Sequence, residues 1–149
     1  MWFAVVQPYT SVAVEMTGEI TPSGISLASL HEAFAESEDV LVQMLELFHV
    51  QVVERVAQLD AHLAAWDTGG ARVALHSLVN ISGAVRAYGM SELAKRVGEA
   101  VKRDDREQAL ALARALGREC SGVLGQVQAM LTAAKANPVH IWQAVLPPA

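Results

Sequence analysis

The chain has 149 residues and a formal net charge of −5, and its lysines and arginines form no long basic run. This charge distribution argues against nucleic acid as the main partner, because contacts to nucleic-acid phosphates need clustered positive charge. About half of the residues (52%) are apolar but only 5% are aromatic. The apolar residues are mainly alanine, leucine and valine, which predicts one helical domain with a sizeable core.

The sequence also indicates where the protein resides. No segment approaches the roughly 18 consecutive apolar residues that span a bilayer. The apolar N-terminus lacks the basic region of a signal peptide. Cys120 has no second cysteine with which to form an internal disulfide, which fits a reducing compartment. We therefore expect a soluble cytoplasmic protein without a membrane partner.

The chain divides into three parts by composition. Residues 1–25 are predicted to form an extended arm, because "FAVV" and "SVAVEM" are rich in β-branched residues and "TPSG" supplies a turn. Residues 26–135 are predicted to form the helical domain. Residues 136–149 are predicted to be a C-terminal tail, which contains the helix breaker Pro138. The arm and the tail are candidate interfaces for a homodimer.

The helical pattern begins at Ser26, where "SLASLHEAF" predicts a short helix. A long helix follows from about Asp39 to Trp66, in which apolar residues recur at spacings of three and four and form one continuous stripe. The next segment, "DTGG", contains Asp67 and Thr68, either of which is predicted to cap the following helix.

The third long element is predicted to run from about Ala71 to Tyr88, with Gly89 ending it and Ser91 capping a shorter helix. Asp104 or Asp105 is predicted to cap the last long helix. These elements predict an all-α fold: an antiparallel up-down four-helix bundle with a short extra N-terminal helix, an extended N-terminal arm and a C-terminal tail.

His76 lies on the solvent face of the third long element. At 100° per residue, Leu78, Ile81 and Val85 fall within about 40° of Ala74, whereas His76 falls at about 200°. An exposed histidine offers a free imidazole nitrogen as a nucleophile, although a solitary one is more often plain polar surface. The same outer face is predicted to carry Arg72, Asn80, Gly83 and Ala87.

Other polar clusters give weaker indications. Glu46 and His49 have the Glu-x-x-His spacing of di-iron bundles, but such a site needs a second motif and two further carboxylates. We therefore predict no metal site. A charged cluster near the end of the shorter helix is predicted to be a solvated face, with recognition of an acidic partner as the alternative. Its basic members are Lys95, Arg96, Lys102 and Arg103.

Two regions together resemble the histidine-containing phosphotransfer (HPt) domain. Residues 30–78 contain a long helix with "ELF" in its core, an "L-x-A-x-D" helix end, and a histidine nine residues after Asp67. Residues 89–116, "GMSELAKRVGEAVKRDDREQALALARAL", resemble the two helices that complete that bundle. The resemblance covers roughly residues 26–132.

The resemblance implies a phosphorelay function in signal transduction. HPt domains relay phosphoryl groups between receiver aspartates of two-component systems, and they carry them on the histidine of an "H-x-L-K-G" motif. The "HSL" of this chain places that phosphoacceptor role on His76. The resemblance also implies a phosphocarrier rather than an enzyme. No cofactor of its own is implied, because the receiver would supply Mg²⁺. The implied partners are a response-regulator receiver domain, a hybrid histidine kinase, or both.

The chain departs from the motif after the histidine. Val79 and Asn80 stand where the family has lysine and glycine. Arg72 and Arg86 are the candidates to neutralise phosphate in place of that lysine. The expected docking face consists of Val79, Asn80, Gly83 and Ala87.

Two alternatives to a phosphocarrier stay open. Aligning "ISGAVRAYGMSEL" without a gap puts Val79 in the place of the histidine. This alignment describes a degenerate HPt-like bundle that binds a receiver or kinase domain without being phosphorylated. The other alternative is a structural or dimerising bundle.

Overall fold

The computed structural model describes residues 23–136, and within them the secondary structure is helical, with no strand. The all-α prediction is confirmed for this part of the chain. Most of the predicted arm (residues 1–22) and of the predicted tail (residues 137–149) lies outside it. No helix in the described range is both long enough and apolar enough to cross a membrane. The five helices are α1 (Leu27–Phe34), α2 (Glu38–Ala64), α3 (Thr68–Ala84), α4 (Tyr88–Lys102) and α5 (Arg106–Ala136).

The four longer helices pack around one hydrophobic core. Helix α2 contacts α3, α3 contacts α4, α4 contacts α5, and α5 contacts α2, while α1 packs against α2. The apolar stripe predicted for the first long helix is confirmed, because its buried residues follow the predicted spacing. They are Leu41, Leu45, Phe48, Val52, Leu59 and Leu63.

Three connections of the same design join the longer helices. Each has three residues and includes one left-handed residue that is not glycine: Trp66 (φ 51°), Arg86 (φ 62°) or Asp104 (φ 57°). In the second connection the Arg86 N–H donates to the Gly83 carbonyl (3.1 Å), and the next N–H donates to Ser82 (2.9 Å). The other two connections repeat this pair of hydrogen bonds. This is the Schellman arrangement, in which glycine usually takes the left-handed position.

The turn at Arg86 corrects the predicted helix boundaries. Helix α3 ends at Ala84 rather than at Tyr88, and Gly89 is a buried residue in the first turn of α4 rather than a stop. Ser91 lies inside α4 and does not cap it. The prediction was wrong because it assigned the stop to a glycine.

Side chains cap three other helices, and two of these caps, Asp67 and Asp105, were predicted. The Ser26 hydroxyl accepts a hydrogen bond from the Ser29 N–H at the start of α1. An Asp67 carboxylate oxygen accepts one from the Gly70 N–H (3.0 Å) at the start of α3. Asp105 accepts one from the Gln108 N–H (3.2 Å) at the start of α5. Cys120 is buried in the core, and burial raises the pKa of its thiol to about 12.

Two buried polar side chains of α5 hold the segment that enters α1. Glu119 is only 1% exposed, and its carboxylate accepts hydrogen bonds from the Ser23 hydroxyl and the Gly24 N–H (2.7 Å). The Gln126 side-chain oxygen accepts one from the Ile25 N–H (2.9 Å). Gly24 has a φ of +76°, and a Cβ there would collide with Gln126. The position therefore favours glycine on two counts.

The same segment also reaches the α3–α4 connection. The Ser26 N–H donates to the Arg86 carbonyl at 2.8 Å. Residues 23–26 therefore link α5 to the end of α3, the helix that carries His76.

Replacing Glu119 with alanine is expected to lower the free energy of unfolding by about 2–4 kcal/mol, because two donors lose their buried acceptor and a cavity forms. Urea denaturation measures this loss. The matched control is Glu107→Ala, which removes an exposed glutamate from the first turn of the same helix. Equal stability of the two variants would contradict the role given to Glu119.

Candidate functional site

A side-chain pair fixes the start of α3. One oxygen of Asp67 caps the helix, and the other lies 3.0 Å from Nδ1 of His62. The hydrogen bond from the Gly70 N–H, together with the charge of His62, lowers the pKa of Asp67. A Cβ on Gly70 would overlap the His62 ring. A glycine at position 70 therefore allows this pair to form.

The outer face of α3 presents His76 to solvent, as predicted. Ala74 and Leu78, on the opposite side of the helix, are buried in the core. Val73, three residues before the histidine, is 73% exposed. Arg72, one turn before it, is exposed as well. The histidine therefore stands on an open surface with a cation and an apolar side chain beside it.

Asn80 contacts the imidazole directly. Its side-chain nitrogen lies 3.3 Å from Nε2 of His76. When this amide donates, Nε2 is the acceptor and the neutral ring carries its proton on Nδ1. Asn80 therefore favours the tautomer in which Nε2 has the lone pair, but it also occupies that lone pair.

A groove of about 350 Å³ runs beside His76 between α3 and α4. Its apolar lining comes from Leu75, Val79 and Ala94, and Gly98 leaves it open on the α4 side because a Cβ there would meet nothing within 4 Å. Its charged lining combines three cations with one carboxylate. These residues are Arg72, Lys95, Lys102 and Glu99.

Only some of the residues predicted to form the docking face are exposed. Asn80 is exposed, Gly83 is partly exposed, and Val79 is half-buried and packs against the core while lining the groove. The placement of Ala87 on this face was wrong, because Ala87 is fully buried. The helical rotation that predicted its orientation stops at Ala84, so it does not apply three residues later.

Arg86 lies at the end of α3 rather than beside His76. Its guanidinium donates to the carbonyls of Gly83 and Ala84, both at 3.1 Å. Eight residues of helix, about 12 Å, separate His76 from Ala84. The structure therefore brings Arg72 to the histidine but does not bring Arg86 there.

Sequence reasoning missed the neighbours that α2 and α4 contribute. Lys95 and Lys102 belong to the charged cluster predicted as a solvated face, and they line the same groove as His76. Arg55 of α2 donates to the Ser77 hydroxyl (3.2 Å) next to the histidine. The periodicity of α4 puts both lysines on one face, but it does not indicate that this face borders α3.

No family model, curated protein or solved structure matches this chain. Within residues 23–136, no group of three or more metal-binding side chains is close enough to hold an ion. The candidate site is therefore described by its own geometry: an exposed histidine, an asparagine on its Nε2, and a cationic groove.

The lowered pKa of Asp67 predicts an acid-dependent contribution to stability. Its folded pKa lies below the ordinary value of 3.8, so the stabilisation is present above that pH and is lost as the pH falls through the folded pKa. Thermal unfolding of the wild type and Asp67→Asn should therefore differ at pH 6, and the difference should shrink as the pH falls below 3.8. Asp39→Asn, which neutralises an exposed aspartate in the first turn of α2, is the control. A difference that stays constant down to pH 2 would contradict the assignment.

Proposed function

We propose that this protein is a histidine phosphocarrier of a phosphorelay. His76 accepts a phosphoryl group from the aspartyl phosphate of a response-regulator receiver domain and donates it to another receiver aspartate. The observation that carries the proposal is the exposed imidazole of His76, on the middle of a core-packed helix and beside a groove with three cations. The protein acts as a carrier without catalytic machinery of its own.

The proposed fold is an antiparallel up-down bundle of α2, α3, α4 and α5, with α1 as the short extra helix. The cyclic packing order of the four helices supports it. Contacts between the connections support it as well. The Trp66 indole N–H donates to Asp104 (2.8 Å), which brings the α2–α3 and α4–α5 connections together at one end. The Arg106 guanidinium stacks 5.4 Å over the same indole.

The transfer step needs one nucleophilic nitrogen. The lone pair of Nε2 attacks phosphorus, the bond from phosphorus to the aspartyl oxygen breaks, and the receiver aspartate leaves as a carboxylate. The proton on Nδ1 stays on the ring, so no proton is transferred in this step. Positioning and charge stabilisation carry most of such a reaction, and the receiver's Mg²⁺ would supply much of the latter.

The surroundings of His76 suit this step. Arg72 lies one turn away on the same helix and lines the same groove, so its guanidinium can bind the phosphoryl oxygens. Gly83 adds no bulk to the outer face of α3, which leaves room for the approach of a partner. A receiver domain, a hybrid histidine kinase, or both are the proposed partners, and the cytoplasm is the proposed location.

Two observations favour a second function, in which the bundle binds a receiver or kinase domain without accepting phosphate. Asn80 occupies Nε2 of His76, and Val79 points partly into the core where the family has a lysine. In this case the outer face of α3 is a docking surface, and His76 is one of its polar contacts.

The deciding experiment incubates the full chain with a panel of ³²P-phosphorylated receiver domains from the same organism. We expect label on the protein that is stable in base and labile in acid, as histidine phosphate is. His76→Gln should abolish it. His62→Gln, which changes a half-exposed histidine in the last turn of α2, is the matched control and should retain it. Receiver binding with no label on the wild type would support the docking module instead.

Replacing Asn80 with glycine is expected to raise the rate of phosphotransfer to His76 about fivefold, because one hydrogen bond of about 1 kcal/mol no longer holds the lone pair of Nε2. Ala57→Gly, at an exposed position inside α2, leaves Nε2 unchanged and is the control for a glycine introduced into a helix. Stopped-time labelling by a phosphorylated receiver measures the rate. A rate lower than that of the wild type would show that Asn80 assists the transfer rather than restraining it.

A further inference from the structure

We infer that Lys95 of α4 supplies the positive charge beside a phosphoryl group on His76, in place of a lysine on α3 itself. This inference rests on the proposed phosphocarrier function and on the antiparallel order of α3 and α4. Arg72, about one turn from His76, and Lys102, further along α4, line the same groove.

The short α3–α4 connection gives both helices a common starting point. The height of a residue is its distance along the helix axis from this connection. Helix α3 ends at Ala84 and α4 begins at Tyr88. His76 lies eight residues before that end, and Lys95 lies seven residues after that beginning. At 1.5 Å per residue, the two lie about 12 Å and about 10.5 Å from the turn, and therefore at the same height.

The other two cations lie further from the turn. Arg72 is twelve residues before the end of α3, and Lys102 is fourteen residues after the beginning of α4. Their heights are about 18 Å and about 21 Å, so these two cations are close in height to each other. The groove therefore has Lys95 level with His76, Arg72 about one turn away and Lys102 almost two turns away.

The face of α4 that borders the groove suits an anion. Lys95, Gly98, Glu99 and Lys102 follow the spacing of one helical face, and all four line the groove with His76. Gly98 adds no side chain to this lining, and the space where its Cβ would lie is open. Lys95 is exposed, so its flexible stem can bring the ammonium to a phosphoryl oxygen.

The net positive charge of the groove favours an anionic ligand. Arg72, Lys95 and Lys102 outnumber the single carboxylate of Glu99. A doubly negative phosphoryl group on the imidazole matches this excess. The groove thereby replaces the charge that Val79 cannot provide.

The test loads the full chain with phosphoramidate, a small donor that phosphorylates histidine without a receiver. Intact mass and peptide mapping follow the loading of His76. Lys95→Gln should slow it about threefold, the effect of one solvent-screened charge within a few ångströms. Lys102→Gln should slow it less, and Lys95→Arg should restore the rate. Arg103→Gln, which removes an exposed cation just beyond the end of α4 and outside the groove, should match the wild type.

Each result separates the two proposals. Equal rates for Lys95→Gln and Arg103→Gln, or no loading of wild-type His76, would overturn the role of Lys95. If loading depends on Lys95 but no receiver transfers phosphate to the protein, the role of Lys95 stands and the phosphocarrier function is contradicted. Circular dichroism of each variant excludes loss of the helices as the cause of a slower rate.

Discussion

The three-residue connections between the longer helices are the constraint on which the site depends. A left-handed residue ends each helix and the next helix begins two residues later, so the end of α3 and the beginning of α4 lie close together. His76 and Lys95 line one groove between the two helices, although nineteen positions separate them in the sequence. The Arg86 carbonyl at the same turn also holds the segment that enters α1.

The chemistry of the outer face of α3 follows from what surrounds one imidazole. Burial of Ala74 and Leu78 on the opposite side of α3 fixes the direction in which His76 points. The Asn80 side-chain nitrogen lies 3.3 Å from Nε2 of His76, and when it donates there it favours the tautomer with the lone pair on Nε2 and restrains that lone pair. The cations come from two helices rather than from the motif position at Val79. The proposed phosphotransfer requires the Asn80 amide to move away from Nε2, whereas docking without phosphate does not.

Periodicity predicted the features that depend on one helix alone. These include the apolar stripe of α2, the cap at Asp67 and the exposure of His76. It failed at the end of α3, because the left-handed residue that ends this helix is an arginine rather than the expected glycine. That error also placed the buried Ala87 on the surface. Periodicity does not predict contacts between helices. It therefore identified neither the hydrogen bonds of the buried Glu119 nor the place of Lys95 in the groove.

The most direct measurement is phosphorus and nitrogen NMR of the full chain with ¹⁵N-labelled histidine, after phosphorylation by a cognate receiver. The chain has five histidines, which gives an internal comparison. If His76 is the phosphoacceptor, Nε2 of this residue alone shows coupling to phosphorus, and its signal returns when a second receiver is added. Coupling at another histidine, or unchanged histidine signals in the presence of a bound phosphorylated receiver, would contradict the phosphocarrier.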